Sequence, residues 1–349
     1  MRFSCLQIIL GAASTAVASY QGFNYAAQGN NLESFHKQFS LATSLPGTAN
    51  FSSARLYTMI QEGTNDSVIE AISAALATNT KLLLGLWASV DAESFAKELR
   101  ALDSAMKLYG SQLRDLVIGI SVGSEDLYRS SVLGRSQSIS TGQDVTVLLD
   151  YIQQVRQLLV GSVLEHVPVG HVDTLDAYTN TTNSVIIDAV DFMGVNIFPY
   201  FSNDQTMNVS DAARSFWAAY ESTLQIAQGK SVWITETGWP WLDPSKTSGP
   251  QPSVENAAVY WSEVACELQA RSIGFWWYIL SDPADMPYFG VTDSRSDEPG
   301  SALYGLECGA KAARSSIEIL TLASMSSRTI ERQPTWTNTN FVPTHTCFD

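Results

Sequence analysis

Two glutamates in this chain stand where apolar runs end. Val232-Trp-Ile-Thr-Glu236-Thr-Gly-Trp-Pro240 carries a hydrophobic run into a carboxylate and stops it at once in Gly238, Trp239 and Pro240. Alternation and β-branching favour a strand, and the Gly and Pro close it. The run Leu116-Val-Ile-Gly-Ile-Ser-Val122 is followed by Gly123-Ser-Glu125-Asp-Leu-Tyr128-Arg129, so Glu125 leaves a strand end in the same way. Two carboxyls about 5–5.5 Å apart can cleave a glycosidic bond with retention of configuration: one is protonated to assist the leaving oxygen, the other ionised to attack the anomeric carbon. The aromatic residues expected against sugar faces are Tyr25, Tyr57, Tyr200, Trp239 and Trp277. The plainer reading of either glutamate alone is a helix-start acid stabilised by the helix dipole. For any one aromatic it is core packing. Trp233, opposite in phase to Ile234, is expected to be scaffold, and Asn24 and Tyr128 sit near strand tips without an assigned role.

Such acids meet only if their strands are brought together. Candidate strands are Gly22–Tyr25, Ala54–Thr58, Lys81–Trp87, Leu116–Val122, Pro168–Val172, Phe192–Ile197, Ser231–Glu236 and Ile273–Leu280. Helical patterns fill most gaps: Leu32–Leu41, Ser67–Ala77, Ala92–Tyr109, Val145–Val160, Ala212–Gln228 and Ser253–Arg271, with Ser184–Ala189 the sole helical candidate between the fifth and sixth strands. Eight strands alternating with helices predict an α/β fold, a (β/α)8 TIM barrel as a single domain with an irregular C-terminal tail. A doubly wound open sheet is the rival, but no Gly-rich phosphate loop follows the first strand. Barrel active sites collect at the C-terminal ends of strands, which would let the fourth and seventh strands present Glu125 and Glu236 to one another.

Composition narrows the partner. A formal net charge of −15 argues against nucleic acid and anionic membrane. The 45% hydrophobic content suffices for a large core, and the expected state is a monomer. Residues 1–19 read as a secretory signal peptide, with Arg2 at the start, Leu6-Gln-Ile-Ile-Leu10 as the apolar centre and Ala16-Val-Ala18 as the cleavage site. Four sequons point the same way, at Asn50, Asn65, Asn180 and Asn208. Cys5 leaves with the signal; Cys266 is expected to pair with Cys308, leaving Cys347 free or intermolecular. The four histidines, His36, His166, His171 and His345, show no metal-ligand spacing, so no metal site is expected. The barrel is assigned to residues 20–308 and the Ser- and Thr-rich tail to 309–349. No second apolar stretch is long enough to span a bilayer, and the chain ends in Thr-Cys-Phe-Asp349 without an apolar anchor signal.

The two acidic motifs together resemble the family-17 glycoside hydrolases, and within them the fungal cell-wall branch of glucan endo-1,3-β-glucosidases. The residues that carry the resemblance are Gly22-Phe-Asn-Tyr25, Ser53-Ala-Arg-Leu-Tyr-Thr58, Leu83-Leu-Gly-Leu-Trp-Ala88, Gly119–Arg129, Gly170-His-Val-Asp-Thr174, Pro199-Tyr-Phe201 and Val232–Pro240. The resemblance implies a (β/α)8 barrel, retention of configuration, no cofactor, and linear β-1,3-glucan of the cell wall as substrate. It gives Glu125 the acid/base role and Glu236 the nucleophile role, an assignment that the residues alone leave open. Ser124 departs from the wider clan, which has Asn there to bond the sugar 2-hydroxyl, although the fungal branch resembles this chain in having Ser. Relatives of this branch often end in a Ser-rich linker and a lipid-anchor signal, a pattern the residues after Cys308 do not follow. Two alternatives remain open: a β-1,3-glucanosyltransferase using the same intermediate with a sugar acceptor, and a non-catalytic β-glucan-binding wall protein. Loss of either glutamate would mark the second.

Overall fold

The structure, a computed structural model, describes residues 19–137, 141–282, 286–293 and 300–309. The expected export signal, apart from its last residue, and the tail from residue 310 with Cys347 lie outside the described residues.

Eight parallel strands close on themselves in sequence order. They are β1 (Gln21–Tyr25), β2 (Ser53–Leu56), β3 (Lys81–Leu86), β4 (Val117–Val122), β5 (Val169–Thr174), β6 (Phe192–Asn196), β7 (Ser231–Glu236) and β8 (Phe275–Trp277). The helices are α1 (Leu32–Ser44), α2 (Ala71–Thr78), α3 (Ala92–Tyr109), α4 (Ser111–Leu116), α5 (Asp126–Ser130), α6 (Val132–Gln137), α7 (Val145–Leu159), α8 (Leu175–Thr179), α9 (Ser184–Ala189), α10 (Val209–Ile226), α11 (Val254–Tyr260) and α12 (Cys266–Ala270). This is the expected (β/α)8 barrel, not the open doubly wound sheet.

The longer helices start where short polar side chains satisfy first-turn N–H groups. Asn31 caps α1, Asp91 caps α3, Asp144 caps α7 and Asn208 caps α10. Their apolar faces, such as Phe95, Leu102 and Met106 of α3, turn inward to the barrel's outer wall. Short α4, α5, α6 and α8 escaped sequence reading, because one or two turns contain too few repeats to show a 3.6-residue period. The expected eighth strand, Ile273–Leu280, is cut to Phe275–Trp277. Beyond it the chain leaves the barrel: Ile279 and Leu280 accept the backbone N–H groups of Val291 and Thr292.

The inside of the barrel differs at its two ends. Near the strand starts, Leu83, Phe192 and Trp276 form a separate apolar cluster with Trp233 packed against it. Trp233 stacks on Phe192 at 4.1 Å between ring centroids and meets Trp276 edge-on at 5.8 Å. Gly119 makes room for these rings, since a Cβ there would sit 3.0 Å from the Trp233 ring and 3.1 Å from Leu83. Trp233 is therefore part of the barrel floor, as scaffold. At the opposite end, the strand tips bring buried polar groups together.

Cys266 and Cys308 are joined by a disulfide with Cα atoms 5.3 Å apart, fastening the last described segment to α12. Asn50, Asn65, Asn180 and Asn208 are all exposed. No described helix is long and apolar enough to cross a membrane, and no described cluster of His, Cys, Asp and Glu could hold a metal ion.

Candidate active site

Glu236 is the last residue of β7, and a slip in strand register aims it. Val195 of β6 lies opposite Ile234, but Asn196 lies opposite Glu236 rather than Thr235. The extra residue in β7 lets both Thr235 and Glu236 reach groups at the barrel mouth, an effect typical of a bulge. Thr235 donates its hydroxyl to Asn196 Oδ1 at 2.8 Å, while Glu236 Oε1 accepts from Arg55 Nη1 at 2.6 Å and from the Tyr57 hydroxyl at 2.9 Å. Arg55 is fully buried on β2. Its Nη1 also donates to Asn24 Oδ1 at 2.8 Å, its Nη2 to Ser124 Oγ at 2.9 Å, and its guanidinium lies 4.5 Å from the Tyr57 ring centre. Asn24 of β1 spends its amide on the carbonyls of Thr235, Trp276 and Trp277. One hydrogen-bonded chain thus runs through β1, β2, β7 and β8, and it ends on Glu236.

Glu125 is held differently. Its backbone adopts the left-handed region at φ 60°, which non-glycine residues rarely occupy. The conformation is fixed on both sides. Its N–H donates to the Val172 carbonyl at 2.8 Å, and Asp173 accepts the N–H groups of Leu127 and Tyr128 at 2.9 and 3.3 Å. Asp173 is buttressed by His171 Nε2 at 3.1 Å, whose Nδ1 lies 2.7 Å from the Val122 carbonyl. Although Glu125 precedes α5, its side chain makes no capping bond. Instead Oε1 accepts from Asn196 Nδ2 at 2.8 Å. The nearest cation, Arg129, reaches only to 4.0 Å, and its guanidinium is otherwise engaged by the Ser124 carbonyl, Ser89 and the face of Trp87.

These surroundings separate the two acids electrostatically. Burial, with the nearby charge of Glu236 second, raises the Glu125 carboxyl to about pKa 8; Arg129 and the Asn196 bond oppose the shift without cancelling it. Glu236 has a buried guanidinium 2.6 Å away. The arrangement offers a proton on one carboxyl and a paired negative charge on the other, which is the division of labour that two-carboxylate glycoside chemistry needs.

The five expected sugar-facing aromatics divide. Tyr57 is half-buried and touches Glu236 through its hydroxyl. Trp239 and Trp277 are buried to 1% and 0% exposure. Trp239 packs on Tyr200 and Tyr260, and Trp277 packs on Trp261 and Tyr260. Tyr25 packs edge-on against Phe39, and Tyr200 gives its hydroxyl to Asp243 at 2.8 Å. These four rings are core supports of the mouth, because core aromatics bury their faces against one another. Arg55, Arg129 and Asp173 lie within the motifs that carry the resemblance but have no role assigned from the sequence, and Asn196 lies outside those motifs. An arginine inside the apolar run Ala54–Leu56 was the available signal, since a buried cation requires an acid within reach.

Comparison with known proteins bears on the family and the fold. Residues 22–288 match the model of the BtgE/BtgC glycoside hydrolase domain. A protein of Aspergillus oryzae named "Probable glucan endo-1,3-beta-glucosidase" is 45% identical over 303 residues, covering 84% of this chain and 64% of that protein. One of the same name from Aspergillus fumigatus is 42% identical over 321 residues, covering 90% and 70% respectively. The chain thus spans about two thirds of the length of these relatives. Among solved structures, a glycoside hydrolase family 17 β-1,3-glucanosyltransferase from Rhizomucor miehei superposes with a TM-score of 0.65 at 24% identity, over 82% of this chain and 98% of that one, a likeness of fold. The resemblance read from the two acidic motifs holds, and the chain belongs to the BtgE/BtgC glycoside hydrolase domain family.

Proposed function

We propose that this domain cleaves internal β-1,3-glucosidic bonds of cell-wall β-glucan with retention of configuration, Glu236 acting as nucleophile and Glu125 as acid and then base. The observation that carries the reading is the opposed setting of the two carboxyls: Glu236 paired with Arg55 at 2.6 Å, and Glu125 raised to about 8 by burial. The names of the Aspergillus relatives support the substrate.

In the first step a Glu236 oxygen bonds to the anomeric carbon as the glycosidic C–O bond breaks, and the Glu125 proton passes to the departing oxygen. Esterification removes the Glu236 charge, which after burial is the largest of the causes that hold the proton on Glu125. Glu125, now ionised, takes a proton from an incoming hydroxyl, the hydroxyl oxygen bonds to the anomeric carbon, and Glu236 leaves as carboxylate. Water as acceptor gives hydrolysis; a sugar hydroxyl gives a longer chain. Export to the wall belongs to the same reading, supported by the Cys266–Cys308 disulfide and the four exposed sequons.

Incubation with defined linear β-1,3-glucan oligomers, followed by product sizing and anomeric NMR, tests the proposal. Shortened products of retained configuration are expected, and Glu236→Gln or Glu125→Gln should abolish them while circular dichroism stays unchanged. Near-wild-type turnover in either variant would remove that residue from its role. Products predominantly longer than the substrate would make transfer the main activity.

A further inference from the structure

Glu98 is a buried carboxyl that the reaction itself does not use. It sits on α3, 4% exposed, with no ion pair among the described residues. Its Oε1 accepts from the Thr58 hydroxyl at 2.5 Å and its Oε2 from the Met59 N–H at 2.7 Å, and the backbone of Trp87 also bonds to it. Thr58 in turn accepts the Ile60 N–H at 3.0 Å. One carboxylate therefore ties together the segments that leave β2 and β3. Burying an unpaired carboxyl is costly, and burial raises this one to about 7. The bonds offset part of that cost, because an apolar residue here would leave the Thr58 hydroxyl and the Met59 and Trp87 N–H groups without this acceptor; the acid therefore fixes the place of those groups.

The tied segment begins beside the reacting pair. Tyr57, the residue before Thr58, donates its hydroxyl to Glu236 Oε1 at 2.9 Å and lies against the Arg55 guanidinium. We propose that Glu98 is a positioning residue for the nucleophile: by gripping Thr58 and Met59 from α3, it holds the Tyr57 hydroxyl on Glu236. The inference rests on the reading of Glu236 as nucleophile. A hydrogen bond to a reacting carboxylate depends on placement to within a fraction of an ångström. The amide of a Gln at position 98 would turn an N–H toward one of its donors and loosen the grip.

The test is a double-mutant cycle of Glu98→Gln and Tyr57→Phe, with kcat, KM and denaturation midpoints measured on laminari-oligosaccharides. Tyr57→Phe should lower kcat by about tenfold or more, the worth of one bond to a charged group. Glu98→Gln should lower kcat in the same direction with KM nearly unchanged, and it should cost nothing further once Tyr57 is Phe. If Glu98→Gln does not fold, Thr58→Ala cuts the same tie from the strand side and carries the same expectation. Effects that multiply in the double variant, or a Glu98→Gln enzyme with wild-type kcat, would overturn the inference alone. A wild-type protein inactive on these oligomers would overturn the functional reading and this inference with it.

Discussion

The floor and the mouth of the barrel are built by the same strands and held together by opposite means. Strand β7 gives Trp233 to the floor and Glu236 to the mouth; β6 gives Phe192 to the floor and Asn196 to the mouth. In the floor, rings fill space against one another, and the one prominent polar contact is Trp276 Nε1 donating to Ser53 Oγ at 3.0 Å. At the mouth, Asn24, Arg55, Glu125, Asn196 and Glu236 are all 5% exposed or less, and each side chain is fixed by hydrogen bonds to its neighbours. A floor held mainly by ring contacts tolerates relaxation, since those contacts are many and individually weak. A buried polar network does not, because each lost partner leaves another group unsatisfied. The floor should thus govern stability with little effect on chemistry, and the mouth should govern both.

Removing the shared cation is the hardest blow to that contrast. Arg55→Met should leave Glu236 buried without its partner, at a cost of about 3–5 kcal/mol in stability, together with loss of most turnover. Chemical denaturation and oligosaccharide kinetics on the same preparation check both. Trp233→Ala should cost a similar amount, about 3–5 kcal/mol, by opening a cavity in the floor, yet the folded enzyme should keep kcat within a few-fold. A large loss of kcat there would erase the division between the two ends.

The smallest expected effect is a shift in pH dependence at the mouth. With Glu125 protonated below about pH 8, kcat/KM should fall as pH rises through that value. Asn196 favours the charged form of Glu125 through its 2.8 Å bond. In Asn196→Ala the carboxyl should hold its proton more tightly, and the basic limb should move to higher pH. A limb that stays in place or moves down would show that Asn196 does not act on Glu125.

The barrel was legible because its strands are short apolar runs, most of them separated by amphipathic helices. The Asn208 cap was not: the expected helix starts at Ala212, whereas α10 starts at Val209. Glu125 and Glu236 were legible because each ends an apolar run. Their unequal environments were not. The register slip between Val195 and Asn196, the left-handed backbone of Glu125 and the Arg55 bond to Glu236 are products of closure, joining residues as far apart as 55 and 236. Aromatic residues misled for a related reason. Trp239 follows the expected seventh strand and Trp277 lies within the expected eighth, but rings there can turn into the wall as readily as toward a ligand, and their contacts with Tyr260 show that they turn inward. Arg55 was the overlooked clue, a cation within a strand that is otherwise apolar or small.

The central claim is that Glu236, not Glu125, bonds to the sugar. A 2-fluoro-substituted laminari-oligosaccharyl fluoride slows release of the glycosyl-enzyme, so the ester can be trapped and located by peptide mass spectrometry. The account predicts a single ester on the peptide containing Glu236, absent from Glu236→Gln and released on adding an acceptor sugar. An ester on Glu125, or turnover with inverted products and no trapped ester, would contradict it.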